Sequence, residues 1–185
     1  MREHGVLNRI LLIYDEGLRR LKDGSELNPE VLSKAAGIIH HFIEDYHEKL
    51  EEDYLFPRFE KAGKLVELVR VLRLQHQAGR RVTAEIESLT NLKAWRDADQ
   101  RSRLANALRQ FVQMYRPHEA REDTVLFPAL RAVVSPHEYA ALGEQFEDKE
   151  HELFGADGFE RKVAEVAALE QQLAIYDLAQ FTPRG

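Results

Sequence analysis

Hydrophobic residues recur along this chain at intervals of three and four, which is the spacing of one face of an α-helix. The clearest stripe consists of Leu104, Leu108, Phe111 and Tyr115. No segment sustains the alternation of apolar and polar residues that is typical of a half-buried β-strand. The pattern therefore predicts an all-α protein.

Turn and capping residues divide this pattern into separate helices. Asp23-Gly24 ends a first helix, and Asn28-Pro29 begins a second one as its N-cap and first helical residue. We expect the second helix to run to about Tyr54, because Pro57 removes a backbone donor and should turn or break it.

Two further long helices complete the first part of the chain. The third follows Gly63 and reaches about Leu92, and the fourth begins near Asp97. Long antiparallel helices joined by short connections are typical of an up-down four-helix bundle. We predict such a bundle over residues 1–132.

The remaining residues, 133–185, predict a helical extension packed on the bundle. Ser135 and Glu138 form a capping box that starts a fifth helix. The turn at 155–158 separates it from a last amphipathic helix, which should run from Phe159 to about Tyr176. The extension carries no catalytic motif.

Composition narrows the classes of function. The 185 residues are 44% hydrophobic and 31% charged, so a sizeable core can form. The chain has no cysteine, which excludes disulfides, thiolate ligands and a cysteine nucleophile. The net charge of −6 and the lack of a long basic block argue against a nucleic-acid partner. The N-terminal apolar run is short and interrupted by charges, so we expect a cytoplasmic protein without a membrane partner.

Histidines and glutamates continue the apolar stripes on the helix faces that should be buried. They come from all four helices of the predicted bundle: His4, His47, Glu51, His76, His118 and Glu122. Burying a carboxylate without compensation costs roughly several kcal/mol. These side chains therefore need a shared partner inside the bundle.

A repeated stretch shows how that partner would be held. "YHEKLEEDYLFP" (46–57) and "PHEAREDTVLFP" (117–128) share a histidine, a glutamate four residues later, and then Leu-Phe-Pro. Residues i and i+4 lie on one helix face, so each stretch presents an imidazole and a carboxylate together. Each half of the bundle then has a lone histidine on one helix and a His-x-x-x-Glu pair on the next.

Four imidazoles and two carboxylates are too many ligands for one metal ion with open coordination positions. They suit two ions about 3.5–4 Å apart that share bridging carboxylates. Imidazole and carboxylate without thiolate suit iron, manganese or zinc. The repeat therefore predicts a binuclear metal site.

His4, the two repeated stretches and the lone His76 resemble a hemerythrin-like (HHE cation-binding) domain over about residues 1–132. This resemblance implies a non-haem centre of two iron ions, oxo- or hydroxo-bridged, inside a four-helix bundle. It also implies a role in responses to oxygen, nitric oxide, peroxide, redox state or iron.

Two positions depart from the pattern of oxygen-carrying hemerythrins. Those proteins place a second histidine four residues after the one on the third helix, where this chain has Arg80. They also use an aspartate five residues after the last histidine, which would be Asp123, whereas symmetry with Glu51 favours Glu122. With one imidazole fewer, simple oxygen carriage is disfavoured.

Three hypotheses for function stay open on this basis. The first is an iron protein that binds or senses O2, NO, peroxide or redox state. The second is a di-iron enzyme, such as an oxidase, a peroxidase or an NO-handling reductase. The third is a metal-stabilised interaction module whose residues 135–185 contact a protein partner or a second copy. The sequence does not decide whether the site turns over a substrate.

Four other titratable residues lie in or near the repeated stretches, and we do not predict them as metal ligands. Glu48 and Glu119 directly follow the repeated histidines and should point about 100° away from them. We interpret them as residues behind the ligands or on the surface. His40 and Glu44 are predicted as a partly buried hydrogen-bonded pair, with a third metal position or a proton path as the alternatives.

Overall fold

The computed structural model describes residues 2–91 and 95–183, and every regular element among them is helical. The predicted all-α class is therefore confirmed. Long helical segments come first, and two helices and a short 3₁₀ turn (Leu178–Phe181) follow. The segments are α1 (Arg2–Asp23), α2 (29–62), α3 (Val66–Leu89), α4 (98–130), α5 (Pro136–Phe154) and α6 (Gly158–Gln172). The predicted end of the third helix at Leu92 lies outside the described residues.

The helix starts follow the capping residues. The Asn28 side chain accepts a hydrogen bond at the start of α2, and Asp97 and Ser135 do the same for α4 and α5. The last helix was predicted to reach Tyr176 but ends at Gln172. Its end is followed by Ala174, whose φ of +56° is incompatible with a continuing right-handed helix.

The second helix does not break before Pro57, contrary to the prediction. Segment α2 alternates between α-helical and wider π-helical stretches: Pro29–Ile38, π-helical Ile39–His47, Glu48–Leu50, π-helical Glu51–Leu55 and Phe56–Ala62. The backbone N–H of Phe56 bonds the Glu51 carbonyl five residues earlier. We attribute the continuation to this wide turn, because a proline ring clashes with the carbonyl four residues back only in a regular α-helix.

Segment α4 repeats the same backbone device. It consists of Ala98–Arg121, a π-helical stretch Glu122–Leu126 and a final turn Phe127–Leu130. The N–H of Phe127 bonds the carbonyl of Glu122, as Phe56 does with Glu51. The leucine of each Leu-Phe-Pro triplet is thus the last residue of a π-helical stretch that begins at a glutamate.

The four long segments pack in a ring, in which α1 and α3 each contact both α2 and α4. His4 near the start of α1 meets His47 late in α2, whereas an added side chain at Gly17 would meet Leu32 early in α2. The two segments therefore run in opposite directions. The same reversed order of contacts holds between α2 and α3 and between α3 and α4.

Two apolar clusters fill the interior of the ring. The larger one has members from all four long segments and includes Phe42, Tyr14 and Phe111, all fully buried. The smaller one closes the opposite end, and its buried members are Leu55, Phe56, Phe59, Val69, Leu72, Leu126, Leu130, Val134 and Leu142. Along α3 and α4 the predicted polar ligands come between the two clusters, so they form a polar layer within an apolar interior.

The C-terminal helices pack directly on this core. Phe154 of α5 lies with its ring centroid 5.4 Å from the rings of both Phe42 and Tyr46. Val166 and Leu169 of α6 belong to the larger apolar cluster. Among the described residues, no helix combines the length and the apolar character that crossing a membrane requires.

Gly79 allows α3 and α4 to approach closely. A Cβ added at Gly79 would clash with the phenol oxygen of Tyr115, which is 1% exposed. We predict that Gly79→Ala lowers the free energy of unfolding by about 1–3 kcal/mol, because Tyr115 has no free space to move into. Gly37→Ala is the matched control, since nothing lies within 4 Å of its added Cβ. It should raise stability by about 0.5–1 kcal/mol.

Denaturant unfolding of the two glycine variants and the wild type measures this difference. Equal stabilities for Gly79→Ala and Gly37→Ala would contradict the close packing of α3 on α4.

Candidate metal centre

All six predicted ligands meet in the buried polar layer. None of them is more than 4% exposed, although together they carry two carboxylates and four imidazoles. They come from four helices that the chain visits in turn: His4 from α1, His47 and Glu51 from α2, His76 from α3, and His118 and Glu122 from α4.

The histidines lie in two pairs. The Nε2 atoms of His4 and His47 are 2.9 Å apart, and the ring centroids of His76 and His118 are 5.1 Å apart. The first pair comes from the first half of the bundle and the second pair from the second half. This grouping is the one that the internal repeat predicts.

Glu122 lies between the two pairs. Its Oε2 is 3.4 Å from Nε2 of His4, and its Oε1 is 3.2 Å from Nε2 of His118. One carboxylate therefore directs one oxygen towards each histidine pair.

Glu51 lies between the pairs in the same way. Its Oε1 is 3.7 Å from Nε2 of His47, and its Oε2 is 3.5 Å from Nε2 of His76. Two carboxylates that each face both pairs have the arrangement of bridging ligands between two metal ions.

The bonding needs of these atoms fit a metal. Both oxygens of Glu51 and Nε2 of His76 are buried and make no hydrogen bond with any described residue. Buried polar atoms are normally hydrogen-bonded, and a buried carboxylate without a partner is costly. One potential ligand atom from each of His4, His47, Glu51 and Glu122 lies within 4.8 Å of the others, and His76, His118 and Glu122 form a second such group. The residues present therefore fit two cations that share Glu122.

A comparison with protein families agrees with this geometry. Residues 1–130 match the family model described as Hemerythrin HHE cation binding domain. The chain belongs to the hemerythrin HHE cation-binding family. Uncharacterized proteins of Mycobacterium bovis and of two Mycobacterium tuberculosis strains, CDC 1551 and H37Rv, are each 52% identical to it over 183 residues. The alignment covers 99% of this chain and 72% of each relative. No solved structure matches it.

The outer nitrogens of the lone histidines are held by matching residues of this hemerythrin-family repeat. Nδ1 of His4 is 3.1 Å from Oδ1 of Asp123, and Nδ1 of His76 is 3.1 Å from Oε1 of Glu52. Asp123 and Glu52 each stand five residues after the histidine of their own repeat. A carboxylate at the outer nitrogen directs the other nitrogen, Nε2, towards a metal.

The same contacts bear on the choice between Glu122 and Asp123. Glu122 is 1% exposed and faces the histidine pairs, whereas the side chain of Asp123 is 40% exposed and contacts the outer nitrogen of His4. The wide turn begins at Glu122, so it does not rotate Asp123 into the layer. In this hemerythrin-family chain the position of Glu122 follows the internal repeat rather than the oxygen-carrier pattern.

Burial and neighbouring charges shift the pKa values of several candidate ligands in the polar layer. Burial and the nearby carboxylate of Glu122 raise the pKa of Glu51 well above its usual range. Burial opposes ionisation of Glu122 as well, but contacts with His118 and His4 outweigh it and hold its pKa low. Burial lowers the pKa of His47, and neighbouring His4 adds to that effect. Metal binding requires neutral imidazoles and ionised carboxylates, so a cation would have to release the proton that the raised pKa of Glu51 retains.

Arg80, which stands where oxygen carriers have a histidine, turns away from the layer. Its guanidinium lies 2.9 Å from Glu48 and 2.8 Å from Glu52. The hydroxyl of Tyr115 donates to the other oxygen of Glu48 over 2.7 Å. Burial raises the pKa of Glu48 to about 8, although Tyr115 and Arg80 act against this shift. Arg80 therefore supports Glu52, which in turn holds His76.

Asn8 fills the equivalent place in the other half. It stands four residues after His4, as Arg80 does after His76, and its side-chain amide donates to Glu119. Glu48 and Glu119 were predicted to lie behind the ligands or on the surface, and both are buried at 1% and 3% exposure. Sequence reasoning missed Asn8, although its spacing from His4 matches that of Arg80 from His76.

The predicted hydrogen bond between His40 and Glu44 is wrong. The hydroxyl of Thr83 donates to buried Glu44 over 2.5 Å, while Nδ1 of His40 lies 3.3 Å from Glu87. Both residues lie in the π-helical stretch Ile39–His47, in which His40 contacts Asp45, five residues later, instead of Glu44.

A cleft of about 280 Å³ leads from the surface to His47. Helix α5 forms one wall with Phe146 and Glu150. Glu150 is buried, contacts Arg2 over 2.6 Å and accepts a hydrogen bond from the Tyr46 hydroxyl over 3.2 Å. The C-terminal helices thus border the approach to one of the candidate ligands.

Substitutions at Glu122 and Asp123 separate their roles. We predict that Glu122→Ala loses at least one metal ion per chain, because it removes the carboxylate that faces both histidine pairs. Asp123→Ala should keep both ions, with at most about a 10–100-fold weaker affinity from the loss of support to His4. Elemental analysis of both purified variants measures the difference. An empty site in Asp123→Ala together with a loaded site in Glu122→Ala would overturn the assignment.

Metal removal should destabilise the fold. Without a cation, Glu51 and Glu122 remain buried beside each other, so we expect a chelated protein to melt at a clearly lower temperature than the loaded one. Calorimetry before and after complete chelation measures the shift, and re-addition of ferrous iron should restore the original temperature. An unchanged melting temperature would show that these side chains do not need a metal.

Proposed function

We propose that this chain is a binuclear non-haem iron protein that binds or senses O2, NO, peroxide or redox state. The observation that carries the proposal is the position of Glu51 and Glu122, each of which directs one oxygen towards each histidine pair. A single ion would leave one of the two pairs without a metal. Two ions use all six side chains.

The ligands divide evenly in this proposal. His4 and His47 hold one ion, His76 and His118 hold the other, and the two glutamates connect them. When bound, the iron pair, oxo- or hydroxo-bridged, supplies a redox-active centre. Manganese or zinc would suit the same donor atoms, since imidazole and carboxylate do not select strongly among these metals.

The number of protein ligands favours a responsive site over a purely structural one. Each ion would receive two imidazole nitrogens and two carboxylate oxygens, which leaves coordination positions open on a six-coordinate metal. Structural sites are usually closed by protein ligands. Because Arg80 supplies no imidazole and bonds Glu48 and Glu52 instead, the second half-site stays as open as the first.

We also propose that the chain consists of two parts. Residues 1–132 form an up-down four-helix bundle of the hemerythrin type, and residues 133–185 form an extension packed on it. The reversed contacts between neighbouring segments support the first part, and the cleft between α5 and His47 gives the second part a place beside the site. A small diatomic molecule or peroxide would approach His47 through this cleft.

A di-iron enzyme, such as an oxidase, a peroxidase or an NO-handling reductase, is the second candidate. The hydrogen-bonded pair of Tyr115 and Glu48 favours it, because it places a buried acid and base next to the ligands. The Tyr115 ring lies 5.4 Å from the ring of His118. A carboxyl group with a pKa of about 8 can hold or release a proton at neutral pH.

The setting we propose is cytoplasmic, with a small molecule as the ligand and with neither nucleic acid nor a membrane as a partner. The net charge of −6 supports the part of this proposal that excludes a nucleic-acid partner. A protein partner or a second copy of the chain would contact the extension in the third hypothesis, that of a metal-stabilised interaction module.

Anaerobic loading followed by exposure to small molecules tests the proposed function. We expect elemental analysis to find two iron ions per chain, and we expect O2, NO or peroxide to change the optical spectrum once per iron pair. A reversible change identifies a sensor or carrier, and continuous consumption of the added molecule identifies an enzyme. One iron ion per chain, or two ions with a spectrum that none of the three molecules alters, would contradict the proposal.

A further inference from the structure

A second group of metal-binding side chains lies on the outside of α2, away from the buried layer. Nε2 of His40 is 3.6 Å and Nδ1 of His41 is 3.5 Å from the same oxygen of Asp45. The two imidazole rings are stacked, with centroids 4.8 Å apart and planes 16° apart. One ligand atom from each of the three residues lies within 4.8 Å of the other two.

The local backbone explains why both histidines reach one carboxylate. In a regular α-helix, residues five apart differ by about 140° around the axis, so His40 and Asp45 would face different directions. All three residues lie in the π-helical stretch Ile39–His47, in which hydrogen bonds span five residues and such pairs align. The π-helical stretch therefore brings His40 to the carboxylate of Asp45, which His41, four residues before it, also contacts.

Helix α3 prepares His40 for a metal. Oε1 of Glu87 lies 3.3 Å from Nδ1 of His40, so this nitrogen can donate its proton to a carboxylate. Nε2 then carries the free lone pair, and it is Nε2 that faces Asp45. Histidines that bind metals typically have this pairing of a carboxylate at the outer nitrogen with a free inner nitrogen.

The spacing of the ligand atoms suits a small dication. Metal–ligand distances of about 2.0–2.2 Å in a tetrahedral zinc site correspond to roughly 3.3–3.5 Å between neighbouring ligand atoms. The 3.5 and 3.6 Å distances to Asp45 are close to that value. The side chains of His40, His41 and Asp45 are 43%, 67% and 60% exposed, so water can complete the coordination.

We propose that His40, His41 and Asp45 form a surface site for a divalent transition-metal ion, separate from the buried iron pair. Two imidazoles and one carboxylate without thiolate favour ions such as Zn²⁺ and Cu²⁺ over Mg²⁺ or Ca²⁺. Glu87 is a positioning residue that fixes the ring of His40. The proposal is independent of what the buried site does.

Zinc titration of tag-free, iron-loaded protein tests this site. Calorimetry should show one Zn²⁺ bound per chain with no release of iron, and zinc should raise the melting temperature of the same sample. Asp45→Asn and His41→Ala should abolish both effects. Glu87→Gln should weaken binding by about 10–100-fold, as the loss of a supporting carboxylate does at other histidine sites.

His151→Ala is the matched control, because it removes an exposed histidine on α5 that belongs to none of the candidate clusters. It should bind zinc as the wild type does. Zinc uptake that persists unchanged in Asp45→Asn and His41→Ala, or no uptake by the wild type beyond the iron sites, would show that the cluster is an ordinary surface ion pair.

Discussion

The burial of two carboxylates among four imidazoles is the constraint on which the rest of this structure depends. Glu51 and Glu122 lie between two apolar clusters, and each of them is 1% exposed. A buried charge without a partner costs roughly several kcal/mol, which is comparable with the roughly 5–15 kcal/mol by which a typical domain is stable. The polar layer between the two apolar clusters therefore has the composition of a cation site.

The two halves of the repeat complete each other's site. The ring of Phe56, from the first repeat, stacks on His76 at 5.4 Å, and Phe127, from the second repeat, packs on His4 at 5.6 Å. Glu52 and Asp123 hold the outer nitrogens of the same two histidines in the same crossed manner. Neither helical hairpin contains all six side chains, so a bound metal pair, as we propose, would link the halves and favour one assembled bundle.

The sequence predicted the helices, most of their ends and the six side chains of the polar layer, because each depends on periodicity or on capping chemistry. It failed where the backbone leaves the regular α-helix. Pro57 was predicted to end the second helix. The helix instead continues through a π-helical turn to Ala62. In the π-helical stretch Ile39–His47, His40 contacts Asp45 instead of Glu44, and spacing rules for an α-helix do not anticipate this pairing. The burial of Glu48 was also open in the sequence, since it depends on Tyr115 and Arg80 arriving from two other helices.

We propose that the carboxylates of Glu51 and Glu122 join two metal ions. X-ray absorption spectroscopy of the iron-loaded protein can detect such a pair. We expect an iron–iron scattering path at about 3.5–4 Å, or a shorter one if an oxo group bridges the ions. The atoms bound to iron should be nitrogen and oxygen, with no sulfur. A fully loaded protein whose iron is bound by nitrogen and oxygen but gives no iron–iron path would contradict a joined metal pair.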